Sequence, residues 1–306
     1  MKIAHFTTAL SAVAVSAFLT LAHSAPAMAQ QIDRHDHNAA PQLAQQEVKR
    51  SITEVAPGLY RFQNNFHVSV FLVTDDGVIA TDPINAAAAT WLEAEIKSRF
   101  NQEIKYVVLS HDHADHSSGG EVWADTATVI AHANAKAAII GEKRPTAVPD
   151  ITFTDNLDIE LGGQTVELRY VGRNHSDNMI VMNFPAQRTL FAVDFIPMGG
   201  VAFRNFPDAY LPDWNDSVRR VQAMDFDILV PGHGRNGTKA DVAAFGDYMD
   251  DLWAAVTTAV RAGRTLEQAQ AEIKLPKYEK WFRYEEFLPL NIAGAYQRFS
   301  AQSRRN

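Results

Sequence analysis

The chain has 306 residues, 46% of them hydrophobic and 21% charged, enough for a full core in one large domain or two small ones. A formal net charge of -8 and the lack of a basic run argue against a nucleic-acid partner. There is no cysteine, which excludes a disulfide framework, a thiol nucleophile and thiolate metal ligands.

Residues 1–29 read as a secretory signal peptide. Lys2 gives the positive start, 9–22 form an apolar run too short for a typical membrane span, and Ala27-Met28-Ala29 supplies the small-x-small cleavage pattern before Gln30. An uncleaved anchor is the alternative; a lipoprotein is excluded by the missing cysteine. A periplasmic or secreted protein is expected, with no stable membrane span after cleavage, and the cysteine-free composition suits an oxidising compartment. Residues 30–48 form a polar, Gln-rich arm, in which His35 and His37 read as solvated side chains rather than a metal pair.

The main domain is expected over 49–262. Strands are predicted at 52–63, 68–73 and 78–82, with Asn64-Asn65-Phe66-His67 as a hairpin tip and Asp75-Asp76-Gly77 as a turn. A helix is predicted at 86–100, its apolar stripe of Trp91, Leu92, Ile96 and Phe100 facing a core. Residues 106–110 form a buried strand that runs into His111-Asp112-His113-Ala114-Asp115-His116, followed by Ser117-Ser118-Gly119-Gly120. A helix is predicted to start over 120–125. A strand follows at 128–131, ending at His132, which reads as a hydrogen-bonded strand-end residue. A helix is expected at 133–140.

Further strands are predicted at 151–153, 157–161 and 164–171, with Gly162-Gly163 as a hairpin turn. Residues 178–184 and 189–193 form a second hairpin around Pro185-Ala186. Residues 195–217 read as irregular; the aromatics Phe203, Phe206, Tyr210 and Trp214 either line an apolar pocket or pack as a surface loop. Helices are expected at 241–262, 265–273 and 288–300. The helical extension 263–306, with Trp281, Phe282, Tyr284 and Phe287, either caps a cleft or forms an oligomer interface. Periodicity alone establishes a mixed α/β chain.

The chemistry concentrates at 111–116. Three histidines and an aspartate on a loop at a strand end offer imidazole nitrogen and carboxylate oxygen, donors that suit zinc and its borderline neighbours. On such a loop His111 and His113 can reach one ion, and Asp115 and His116 a second. No helix presents these residues on one face.

The pattern His111-x-His113-x-Asp115-His116 resembles the signature of the metallo-β-lactamase superfamily. Its other elements follow in order: His175 in Arg173-Asn174-His175-Ser176, Asp194 at the end of Thr189-Leu190-Phe191-Ala192-Val193-Asp194, and His233 in Val230-Pro231-Gly232-His233-Gly234. The resemblance covers about residues 50–260. It departs at Arg173-Asn174, where many members have a glycine before the histidine; the ligand itself stays. The resemblance implies a four-layer αββα sandwich, α/β in class, with extra C-terminal helices. It implies His111, His113 and His175 on one metal, Asp115, His116 and His233 on a second, and Asp194 bridging. Two Zn2+ are expected, and these donors also accept Fe or Mn. Asp82 is expected to support the metal loop by hydrogen bonds, and the 64–67 tip to overhang the cleft, with Phe66 and His67 beside substrate or merely exposed.

What the resemblance implies for activity is a metal-dependent hydrolase in which two ions share a hydroxide that attacks a carbonyl, with Asp115 taking or relaying a proton. No Gly-x-Ser-x-Gly elbow competes with this reading. Zinc β-lactamases usually lack an aspartate at the position of Asp194, and one major class has cysteine in the second site. The full set of five His and two Asp is more similar to glyoxalase II, lactonases and related esterases. Flavodiiron proteins carry an acid where His113 stands. A small-molecule ester, lactone or thioester is therefore expected as substrate. The alternatives are a β-lactam-type amide, or a role as a metal-dependent accessory protein of a periplasmic oxidation system.

Overall fold

The computed structural model describes residues 48–303 apart from Pro212. The signal-like segment, nearly all of the polar arm, His35 and His37 lie outside the described residues. No helix among the described residues is long and apolar enough to cross a membrane.

Strand pairing builds two sheets. In the first, β1 (Arg50–Ala56), β2 (Leu59–Asn64), β3 (His67–Thr74) and β4 (Gly77–Thr81) form an antiparallel meander. It continues in parallel through β5 (Ile104–Val108), β6 (Thr128–His132) and β7 (Ile151–Phe153). Parallel neighbours need crossovers. Helix α1 (Ala86–Phe100) joins β4 to β5, the short α2 (Ala114–Ser117) lies between β5 and β6, and α3 (Ala133–Glu142) joins β6 to β7. Asn85 caps α1 by accepting from the Ala88 N–H, and left-handed Asn101 ends it.

The second sheet has β8 (Asn156–Leu161), β9 (Gln164–Tyr170), β10 (Ile180–Phe184) and β11 (Thr189–Phe191) in antiparallel order. Helix α4 (Asp213–Ala223) then crosses over to β12 (Ile228–Val230), which lies parallel to β11. Three helices complete the chain: α5 (Lys239–Arg261), α6 (Leu266–Glu272) and α7 (Tyr284–Ser303).

Alternation along the strands sorts the core into layers. Val107 and Val129 pack with Leu92 and Ile96 of α1, whereas Val108 and Ile130 pack between the sheets against Phe191 and Val230. On the far side Leu190 joins Val218, Phe245 and Tyr248 beneath α4 and α5. The result is the expected αββα sandwich. Phe287, Leu288 and Ile292 of α7 belong to that same outer cluster, so the helices beyond residue 263 share a core with α5.

Four local expectations need correction. The single strand predicted over 52–63 is two, because Pro57-Gly58 makes a hairpin turn with Gly58 at φ +76°. The helix predicted over 120–125 is one 3-10 turn, Gly120–Val122. The irregular stretch ends early: α4 begins at Asp213 and buries Trp214, Ser217, Val218 and Val221 at helical spacing. The last helix starts at Tyr284 rather than 288; Pro289 within it disguises the first turns.

Gly119 closes the motif loop at φ +89°, and a Cβ there would lie 2.3 Å from the Ala86 nitrogen and 2.4 Å from the Asn85 carbonyl carbon. Backbone atoms cannot give way cheaply. Gly119→Ala is therefore expected to destabilise the fold by more than about 1 kcal/mol, read as a lowered Tm; an unchanged Tm would contradict this packing.

Candidate metal centre

All seven predicted ligands follow the C-terminal ends of strands: 111–116 after β5, His175 after β9, Asp194 after β11 and His233 after β12. That is the end of an open α/β sheet at which ligands gather. The structure brings them together as two clusters, His111, His113, His175 with Asp194, and Asp115, His116, His233 with Asp194. Within each cluster the donor atoms lie within 4.8 Å of one another.

Asp194 belongs to both clusters, and its two oxygens divide between them. Oδ2 lies 3.7 Å from His111 Nε2 and 3.9 Å from His175 Nε2. Oδ1 lies 3.2 Å from both His116 Nε2 and His233 Nε2. His113 turns its Nδ1 to the first cluster, 3.0 Å from His175 Nε2. Its Nε2 faces the exposed Asp208 at 3.7 Å. Asp115 Oδ2 stands 3.7 Å from both His116 and His233.

Neighbouring groups hold these rings in place. Asp82 is fully buried and accepts from the Ser110 N–H and the Ser110 hydroxyl, both at 2.7 Å. It also lies 3.6 Å from His116 Nδ1. Ser110 Oγ in turn meets His111 Nδ1 at 2.9 Å. This Asp–Ser–His contact has the residue types of a nucleophilic triad, but Ser110 is fully buried and its hydroxyl is bound to Asp82, so it orients the His111 ring instead. Asp112, between two ligands, points away: its carboxylate accepts from Asn178 Nδ2 at 2.8 Å and Arg144 Nη2 at 3.0 Å, bracing the loop. His233 Nδ1 donates to the Phe66 carbonyl at 3.0 Å, which leaves Nε2 for the cluster.

Sequence reasoning assigned no role to Ser110, Asp112, Asn178 or Arg144. Contacts of this kind carry no spacing signal. It also missed Gly232, where a Cβ would lie 2.6 Å from Asp194 Oδ1 and 2.8 Å from His116 Cε1, inside the space the ligands share. Of the aromatics in 195–217, Phe206 and Trp214 are core residues, and Trp214 sits against the His175 ring with centroids 5.9 Å apart. His132 is structural, as expected: Nε2 bonds the Thr154 carbonyl, Nδ1 accepts from the Asn134 N–H, and the ring stacks on Tyr170.

The protonation pattern divides as the clusters do. Burial, reinforced by His113, pushes His111 well below the usual histidine range, and burial pushes His175 down to about 4. Both rings are neutral donors at pH 7. Burial opposes charge on the other cluster too, but there the Asp194 carboxylate lifts His116 well above its usual range. Asp115 and Asp194 together overcome burial to raise His233 to about 9. The same contacts outweigh burial to keep Asp115 and Asp194 ionised. A metal fits this chemistry. His111 Nε2 is buried with no hydrogen-bond partner, a state that costs about 1–3 kcal/mol unless a cation satisfies it.

A family model for the metallo-β-lactamase superfamily matches residues 64–233, and the chain belongs to that superfamily. It is by class a metal-dependent hydrolase. It is 25% identical over 265 residues to the 2,4-dinitroanisole O-demethylase subunit alpha of Nocardioides sp. (strain JS1661), covering 82% of this chain and 78% of that one. It is 24% identical over 212 residues to the metallo-β-lactamase type 2 of Bacteroides fragilis, covering 64% and 85%. A solved metallo-β-lactamase from Pontibacter korlensis superposes with a TM-score of 0.59 at 21% identity, over 66% of this chain and 99% of that chain, and so shares the fold.

Because His233 titrates near 9, a cation must displace a proton there at neutral pH. Zinc binding to metal-free protein is expected to release protons at pH 7, and its apparent affinity to rise as pH rises toward 9. Calorimetry in buffers of different ionisation enthalpy reads the release; a buffer-independent heat would contradict the assignment.

Proposed function

We propose that the chain is a dinuclear metal hydrolase whose substrate is a small molecule with an ester, lactone or thioester carbonyl. The observation that carries this reading is the division of Asp194, with Oδ2 toward His111 and His175 and Oδ1 toward His116 and His233. One carboxylate shared this way suits two cations side by side. Two divalent ions, zinc first and iron or manganese next, would supply an activated water and a Lewis acid for the carbonyl oxygen.

The chain's own residues do the rest. His111, His113 and His175 serve one position; Asp115, His116 and His233 serve the other. Asp194 sets their separation, and Asp82 with Ser110 keeps the rings aimed. Asp115 is the ligand at the rim, with 49% of its side chain exposed, so it can pass a proton between the cleft and solvent. No protein nucleophile is required.

A second reading, a β-lactam-type amide hydrolase, is favoured by the relatives named as metallo-β-lactamases. Asp194 weighs against it, because zinc β-lactamases usually lack that ligand. The Nocardioides relative acts, by its name, on an O-methyl ether, which widens the panel worth testing. The proposed place of work is outside the cytoplasm, supported by the signal-like residues 1–29.

The test is a panel of aryl esters, lactones, thioesters, an aryl methyl ether and a chromogenic β-lactam, with protein beginning at Gln30 and with or without chelator. Ester or lactone cleavage lost to chelator is expected. Asp194→Ala should lower it roughly 100-fold or more, since metal stabilisation of the transition state is worth several kcal/mol. β-Lactam turnover above all others would favour the second reading. Cleavage that chelator leaves untouched would contradict both.

A further inference from the structure

The β2–β3 hairpin tip is tied to the second cluster at three points. The Val68 N–H donates to the Gly232 carbonyl at 2.8 Å, and His67 and His233 form an antiparallel bridge. The Phe66 carbonyl receives the His233 Nδ1–H. Between these backbone contacts the His67 side chain turns inward. Its ring centroid lies 4.8 Å from that of His233, and its Nε2 is 3.5 Å from Asp115 Oδ2. Phe66, by contrast, is 82% exposed and turns out.

Asp115 needs such a partner. It sits in the first turn of a four-residue helix, and its side chain is the most exposed carboxylate of the two clusters. A short carboxylate in that setting has rotamer freedom that must be lost before it can ligate. A donor from a backbone-anchored strand end removes that freedom in advance.

We propose that His67 is a positioning residue for the metal position of Asp115, His116 and His233, its ring, with Nε2 beside Asp115 Oδ2, holding that carboxylate aimed into the cluster. The inference rests on the two-ion reading. It assigns the tip a job in metal retention rather than in contact with substrate. Loss of a residue that orients a metal ligand in this way lowers metal affinity about 10–100-fold. Since His67 faces one cluster, the loss should fall on one ion only.

The experiment is a zinc titration of metal-free protein against a chromophoric chelator, in wild type, His67→Ala and His67→Gln. Two zinc sites are expected in wild type. His67→Ala should weaken one of them about 10-fold or more and leave the other unchanged. His67→Gln, whose amide nitrogen reaches the place of Nε2, should restore most of the loss. Wild type that holds one zinc would overturn the two-ion reading and this inference with it. Two sites in wild type with both unchanged, or both equally weakened, in His67→Ala would overturn the inference alone. So would a His67→Gln variant no better than alanine, which would point to direct ligation by His67.

Discussion

The site depends on one carboxylate held where a carboxylate is hard to keep. Asp194 has a left-handed backbone at φ +59°, a conformation that a residue with a Cβ adopts at a cost. Val193, Phe195 and Ile196 around it are fully buried and fix that conformation through packing. Burial alone would neutralise the acid; the imidazoles of His116 and His233 keep it charged. The backbone strain is thus offset by the fold, and the desolvation by the two imidazoles. Gly232 supplies the remaining condition, since only a residue without Cβ leaves room beside Asp194 and His116.

The sandwich serves this constraint. Strands β4, β5, β9, β11 and β12 each end at the same edge of the molecule, and each hands over one element of the site: Asp82, the 111–116 loop, His175, Asp194 and His233. Residues on the inner faces of both sheets interlock in one cluster, Val108 and Ile130 with Phe191, Val193 and Val230. A cluster residue on one sheet is therefore registered against those on the other through close-packed side chains. Cross-links add to this, Asp112 tying the motif loop through Asn178 to the segment that carries His175 and through Arg144 to the end of α3.

Legibility from sequence followed locality. The 111–116 motif was readable because its candidate donors lie within six residues, behind a strand of clear apolar character. His175, Asp194 and His233 are single residues after separate strands, and only the resemblance to a family pattern linked them. Period-two strands and helical stripes showed the mixed α/β content and the resemblance supplied the layers, but α4 was hidden because its polar residues and the aromatics before it gave no break at Asp213. The support network was unreadable in principle. Phe66 acts through its carbonyl, Gly232 through an absent atom, and Ser110 by standing between Asp82 and His111. None of these leaves a composition or spacing signal.

The central claim is that one aspartate joins two metal positions. Anomalous diffraction from crystals of zinc-loaded protein, recorded on both sides of the zinc edge, tests it most directly. Two peaks about 3.5–4 Å apart, with Asp194 Oδ1 on one and Oδ2 on the other, are the predicted result. A single peak, or two with Asp194 on neither, would contradict the account.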